Sequence, residues 1–325
     1  MLVCYTKSVF NRILFFLPGI SEKYQSGGLR VTLQTRRFFA ELFPGSQCDT
    51  VTTHERNEGA LFAQNVFSAE KMYITNEQNY QAPLCIVTWG PLVAEHIKLI
   101  RKNIPKAKIL FYAQSFGWGI KVPTGIPIIC VSRFVMSQWA LYCKGNFVGY
   151  IPPSLSENFS ARFRPASNKR EIDVLVHTRK QNNFCLEKLL PALKKKGLKI
   201  HIIEDWIEQA EFSKLLSNSK IFLYVTALHK AGFFRRLPGE GFGLPALEAV
   251  ASGCTVASNL LGGVTDFLTP SVNCLKVENG NIESDVASIT HSIENFSPIY
   301  NDVLMQEYSE GQVKEMWRKI ITQLF

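Results

Sequence analysis

Paired cysteines, long apolar runs, clustered histidines and internal repeats are all missing from this 325-residue chain, and each absence removes a class of function. The eight cysteines (Cys4, Cys48, Cys85, Cys130, Cys143, Cys185, Cys254 and Cys274) contain no C-x-x-C pair. Most sit in apolar stretches such as "PIICV", which predicts buried, reduced thiols in a cytoplasmic protein rather than a disulfide framework. The apolar stretch "RILFFLPGI" is too short to span a bilayer. Lys7 and Arg12 interrupt the N-terminal apolar region and no small-residue cleavage site follows, so no secretory signal is expected. His54, His96, His201 and His291 lack metal-ligand spacing. No zinc-finger, helix-turn-helix or RNP pattern is present, so nucleic acid is not an expected partner.

What is present suits two packed domains: 46% hydrophobic and 19% charged residues over 325 positions. The net charge of +9 is uneven. Residues 1–160 hold 16 Lys/Arg and 9 Asp/Glu, so most of the surplus lies in the first half. A basic half attracts phosphorylated ligands or an acidic membrane face, unless the charges only solvate the surface.

Strand-like and helix-like segments alternate along the chain. "ILFFLPG" (13–19) reads as a buried strand, followed by a polar loop with the pair Gly27-Gly28 and then the helix "LRVTLQTRRFFAELF". "PLCIVTWG" (83–90), "KILFYAQSFGWG" (108–119) and "IPIICVS" (126–132) read as further strands, with helices at "PLVAEHIKLIRKN" and "RFVMSQWALYCK". The Pro-, Ser- and Asn-rich stretch 149–170 breaks the pattern and reads as the crossing between domains. A second series follows, with strands "IDVLVHT" (172–178), "LKIHIIE" (198–204), "KIFLYVT" (220–226), "CTVAS" (254–258) and "NCLKV" (273–277). Its helices are "NNFCLEKLLPALKKKG", "IEQAEFSKLLSNS" and "PALEAVAS", and "SEGQVKEMWRKIITQLF" ends the chain as an amphipathic helix. Alternation of this kind predicts an α/β fold with open, mostly parallel sheets, in which ligands sit beyond the carboxyl ends of the strands.

The chemistry concentrates in "GEGFGLPALEAVASG" (239–253). Glu240 lies in a glycine turn and Glu248 lies eight residues on, inside a short helix whose first turn holds Pro245. Gly239, Gly241 and Gly243 let a backbone pass close to a ligand. The helix start offers N–H groups suited to a phosphate. Two carboxylates beside a phosphate site suit hydroxyl groups, and together these features describe a nucleotide-sugar site.

The block "EGFGLPALEAVASGCTVAS", followed by "GGVTDFL", closely resembles the E-x7-E signature of GT-B glycosyltransferases, above all the retaining family 4. It departs from that pattern at Cys254-Thr255 and at Asp266. "ILFFLPGISEKYQSGGLRVTLQTRRFF", "CVSRFVMSQW" and "LVHTRK" resemble the family's first strand and di-glycine loop, its serine turn and its basic site. The resemblance implies two Rossmann-like domains facing each other across a cleft. Residues 1–152 would bind the acceptor, residues 153–305 the donor, and the helix within 306–325, around Trp317, would pack back toward the first domain.

By the same resemblance, Glu240 lies at the donor sugar and Glu248 accepts from the ribose hydroxyls. The amides of Gly241, Phe242, Gly243 and Leu244 approach sugar and phosphate. Gly27 and Gly28 approach the diphosphate, and Arg179 neutralises it as it leaves. Fixed cations and amides stabilise that charge without a metal, and no D-x-D is present to hold a metal-bound diphosphate. No cofactor is expected. Two positions depart from the family. Its second basic residue falls here on Cys185, for which the adjacent Lys180 would substitute, although an extended strand would point Lys180 to the opposite face. Its histidine near the reacting carbon falls on Gln114, which cannot act as acid or base but can hydrogen-bond a sugar hydroxyl, as in some bacterial rhamnosyltransferase-like members.

Other candidates have plainer readings. Arg235 and Arg236 read as solvent-facing rather than diphosphate-binding, His177 and His229 as structural, and Trp89 and Trp118 as core aromatics rather than acceptor-stacking groups. Segment 96–108 reads as a surface helix whose cations also suit peripheral contact with an acidic membrane face. The expected activity is transfer of a sugar from a nucleotide-sugar donor to a glycan or lipid-linked saccharide, retaining and metal-independent, in polysaccharide or lipopolysaccharide biosynthesis. The alternatives are a silent nucleotide-sugar-binding subunit, or a phosphorylase or epimerase of the same shape. No lysine stands in the context a phosphorylase uses for pyridoxal phosphate.

Overall fold

The computed structural model describes residues 10–76, 82–117, 119–160, 164, 169–231, 235–238, 240–278 and 280–325, without the side chains of 70–76, 229–231 and 235–238. It divides into two units, residues 1–153 with 313–325, and residues 154–312.

In the first unit seven parallel strands form one sheet. They are β1 (Arg12–Leu17), β2 (Gln47–Thr52), β3 (Leu61–Phe62), β4 (Leu84–Val87), β5 (Lys108–Ala113), β6 (Ile128–Cys130) and β7 (Val148–Tyr150), in the order β3-β2-β1-β4-β5-β6-β7. Ile13 to Leu17 and Leu84 to Val87 are fully buried, as expected of central strands covered on both faces. The helices of this unit are α1 (Gly27–Leu42), α2 (Ala63–Asn76), α3 (Val93–Asn103) and α4 (Arg133–Tyr142). Three features differ from the sequence reading. β2, β3 and α2 occupy a stretch with no strong periodicity; the six residues of β2, "QCDTVT", carry too few apolar side chains to stand out. β7 takes Gly149 and Tyr150 out of the crossing and pairs them with Ile129 and Cys130. Gly27 and Gly28 do not form a loop but open α1, because the Ser26 side chain caps the helix by accepting from the Leu29 N–H at 3.2 Å.

The second unit holds a five-stranded parallel sheet of β8 (Ile172–His177), β9 (Ile200–Ile203), β10 (Ser219–Tyr224), β13 (Thr255–Ser258) and β14 (Cys274–Lys276), ordered β14-β13-β10-β8-β9. Between β10 and β13 the chain forms an antiparallel hairpin, β11 (Leu228–Ala231) with β12 (Arg235–Pro238). The helices are α5 (Leu190–Lys195), α6 (Gln209–Ser217), α7 (Leu244–Ala251), α8 (Ile282–Glu294) and α9 (Asp302–Glu307). A π-type turn at Cys185–Leu189 leads into α5. Pro191 explains it, since a proline lacks the N–H that would close the preceding turn. The last helix, α10 (Glu310–Leu324), belongs to the first unit from Val313 on and carries the fully buried Trp317, whose ring meets Phe39 and Tyr112 of that same unit at 5.2 and 4.9 Å.

Two buried polar groups bear on the stability of these units. Arg170 is 5% exposed, and its Nη atoms donate to the carbonyls of Leu216, Ser219 and Ser252 at 2.7–2.9 Å. Leu216 lies in the last turn of α6 and Ser252 caps α7, so the cation sits where helix dipoles are negative. Arg170→Met keeps the aliphatic stem but takes the charged donor from three carbonyls, leaving those of Leu216 and Ser219 the weaker Cys254 thiol. We expect it to lower the unfolding free energy by about 3 kcal/mol in a urea titration. His96, on α3, is fully buried and shares a 2.9 Å hydrogen bond with the Thr53 hydroxyl. Burial above all pushes its pKa from 6.5 down to about 4, with the charge of Glu95 opposing and that of His54 assisting. Between those values the unfolded chain binds the proton and the folded chain does not, so His96 makes stability fall as pH drops from about 6.5 to about 4. Unfolding of His96→Gln at pH 7 and pH 5 should show a shallower pH dependence than the wild type.

Candidate functional site

The second sheet changes winding direction between β8 and β10, with β9 on one side and β13 and β14 on the other. Loops leaving the carboxyl ends of two such strands flank a natural ligand crevice. Here β8 runs into a 3-10 turn, Thr178–Lys180, and β10 ends at Tyr224. The turn corrects the expectation for Lys180. It does not start from an extended strand, and its Nζ donates to Glu240 Oε2 at 3.2 Å. The same oxygen accepts from the phenol of Tyr224. Glu240 is 8% exposed and Tyr224 fully buried. Burial, and then the Glu240 charge, holds the Tyr224 phenol well above its ordinary pKa, so it is a permanent donor. Arg179 is exposed and makes no side-chain hydrogen bond or ion pair to a described residue.

The glycines around Glu240 are used for close approach. Gly243, with φ +94°, precedes α7, and a Cβ there would stand 2.4 Å from Val264. Across from it, a Cβ on Gly263 would stand 2.1 Å from the Gly241 carbonyl oxygen, and the Gly263 N–H donates to the Glu240 carbonyl at 3.1 Å. The loop 240–243 is thus pressed onto the 3-10 turn Gly262–Asp266, which also contains Asp266. Phe242 faces inward, onto Phe267 and Tyr308. Among the described residues, nothing accepts from the amides of Phe242, Gly243 and Leu244. Glu248 on α7 is 1% exposed and accepts from Gln209 Nε2 of α6 at 3.3 Å. Cys185, where the resemblance would place a second basic residue, lies in the apolar core with its thiol pushed up to about 12 by burial.

In the first unit Gly28 and Gln114 do meet. A Cβ on Gly28 would stand 2.6 Å from Gln114 Oε1, whereas one on Gly27 would meet nothing within 4 Å. Gln114 Nε2 donates to the Thr32 hydroxyl at 2.9 Å, and that hydroxyl donates to the Gly28 carbonyl. Gln114 therefore fixes the start of α1. The sequence reading missed Glu55, which accepts from the amides of Ile20 and Ser21 and from the Ser21 hydroxyl at 3.0–3.1 Å, pinning the loop between β1 and α1. Desolvation opposes its ionisation, but bonds from Ser21, Asn57 and Ile20 outweigh it and hold its pKa low.

The remaining candidates separate cleanly. Trp89 is half-buried, edge-on to Tyr24 at 6.4 Å. His177 is half-buried, its pKa lowered by burial and then by Arg179 and Lys180. On α3 the apolar residues face the core, leaving Lys98, Arg101 and Lys102 exposed. Trp118, Gly239 and the side chains of His229, Arg235 and Arg236 lie outside the described residues. The seven described cysteines are free thiols. Among the described residues no helix is long and apolar enough to cross a membrane, and no group of His, Cys, Asp or Glu stands where it could hold a metal.

No family model matches the chain, and no curated protein matches it in sequence. Solved structures match it in fold. A sucrose-phosphate synthase from Thermosynechococcus elongatus superposes with a TM-score of 0.65 at 12% identity, over 97% of this chain and 99% of that one. HepE from Anabaena, in complex with UDP and glucose, gives 0.63 at 11% identity over 96% and 99%. The lipopolysaccharide outer core galactosyltransferase WaaB gives 0.62 at 13% identity over 97% and 100%. At this identity the likeness is one of fold, and the fold is GT-B, with two Rossmann-like units.

Proposed function

We propose that the chain is a glycosyltransferase that moves a sugar from a nucleotide-sugar donor to a glycan or lipid-linked saccharide. One observation carries this reading. At the carboxyl ends of β8 and β10 a buried carboxylate, Glu240, meets a lysine, and the three residues after Gly241 carry amides with no acceptor among the described residues. A carboxylate takes sugar hydroxyls, and amides at a helix start take phosphate. The fold shared with HepE, in complex with UDP and glucose, supports the pairing.

In this reading Glu248 accepts from the ribose and Arg179 and Lys180 face the diphosphate. The bond from the sugar's anomeric carbon to the diphosphate oxygen breaks as the bond to the acceptor oxygen forms. The acceptor's proton passes to the departing diphosphate, the configuration is retained, and fixed cations and amides carry the charge without a metal. Gln114 holds Gly28 in place and takes no proton. Residues 1–152 are the acceptor side, and polysaccharide or lipopolysaccharide synthesis is the pathway class. The exposed cations of α3 are the groups that a peripheral contact with an acidic membrane would use, on the cytoplasmic face.

The test is thermal stabilisation by a panel of nucleoside diphosphates and nucleotide sugars, with and without EDTA. Ligands that bind the native state raise the melting temperature by mass action. A shift with one nucleoside diphosphate, unchanged by EDTA, is expected. No shift with any member of the panel would sink the proposal, and a shift abolished by EDTA would remove the metal-free part of it.

A further inference from the structure

The two donors on Glu240 converge on a single oxygen. Lys180 Nζ and the Tyr224 phenol both reach Oε2, and neither is bonded to Oε1. They differ in every other respect. The Lys180 side chain is 42% exposed and flexible, so a diphosphate can draw it away. Tyr224 closes β10, is fully buried, stacks on Phe222 at 5.8 Å, and keeps its proton. A carboxylate held by one oxygen has its second oxygen aimed in a fixed direction.

Resting on the donor-sugar role given above to Glu240, we infer that Tyr224 is the positioning residue of this site. Its phenol locks Glu240 Oε2 so that Oε1 is presented to a hydroxyl of the donor sugar, and the lock persists when Lys180 turns to the diphosphate. Tyr224 touches no substrate. Its effect falls chiefly on the sugar half of the donor, because its phenol is hydrogen-bonded to Glu240, whereas the Glu248 carboxylate accepts from Gln209 and the amides of Phe242 to Leu244 belong to the backbone.

Tyr224→Phe removes one oxygen and leaves the ring stack in place. The experiment measures, by calorimetric titration, the affinity of wild type, Y224F, E240Q and the double variant for a nucleoside diphosphate and for the matching nucleotide sugar. Y224F is expected to weaken the nucleotide sugar roughly tenfold, the loss of one charge-assisted hydrogen bond. It should leave the nucleoside diphosphate unchanged. In the E240Q background, where the neutral carboxamide accepts from the phenol only without charge assistance, the same change should have a much smaller effect, which a general loosening of the unit would not produce. Equal weakening of both ligands, no weakening of either, or additivity with E240Q would overturn the role of Tyr224 while leaving the nucleotide-sugar reading intact. Failure of wild type to bind any nucleotide would overturn that reading, and the role of Tyr224 with it.

Discussion

Glu240→Ala should lower sugar transfer by at least about a thousandfold, the scale on which loss of one fixed electrostatic partner and of reactant alignment act together. The reason lies in what surrounds the carboxylate. Glu240 is buried with Tyr224 and paired with Lys180. On the proposed reading alanine removes the acceptor for the sugar, and it takes from the buried Tyr224 phenol its Glu240 partner. Lys180 loses its partner carboxylate in the unliganded protein. Glu248 and the amides after Gly241 remain, so nucleoside diphosphate binding should fall far less than turnover. Stopped assays with radiolabelled donor, run beside a nucleotide titration, separate the two. The same assays with EDTA should give wild-type rates. Transfer that survives Glu240→Ala would place the chemistry elsewhere in the chain, and transfer that stops with EDTA would require a metal.

Much of this site can be read directly from residues 239–253, because glycine spacing and two acids constrain a helix start more tightly than any other stretch of the chain. The apolar strands are legible for a related reason: the central residues of β1, β4, β5, β8 and β10 are buried and run as short hydrophobic stretches. What escapes the sequence is whatever depends on a partner distant along the chain. β2 is largely polar and takes its place by pairing with β1 and β3, strands far from it or unmarked in the sequence. Lys180 is 60 positions from the carboxylate it meets, and its reach follows from a turn that no local pattern marks. Tyr224 ends an ordinary apolar strand, and only the return of the chain after the β11–β12 hairpin brings Glu240 onto its phenol. Glu55 is likewise invisible as an anchor until β2 is set beside β1.

The second large effect is expected from one methyl group. Gly263→Ala would put a Cβ 2.1 Å from the Gly241 carbonyl oxygen and 2.6 Å from the Phe242 Cα. Both are backbone atoms, so no side chain can rotate away, and the two loops must part. Their separation breaks the Gly263 N–H bond to the Glu240 carbonyl and moves Phe242 off Phe267 and Tyr308. Overpacking of this kind costs about 3 kcal/mol or more, visible as a lower urea midpoint. Activity should fall further than the population of folded protein does, because the loop that parts is the one carrying Glu240. Gly27→Ala is the matched control. Its Cβ meets nothing within 4 Å, and it lies in the first turn of α1, where alanine favours the helix by up to about 1 kcal/mol. That variant should be as stable as wild type or more so, and any defect it shows must appear in nucleotide affinity alone. If Gly263→Ala kept both its midpoint and its turnover, the close contact between the two glycine loops would not be what holds Glu240 in place.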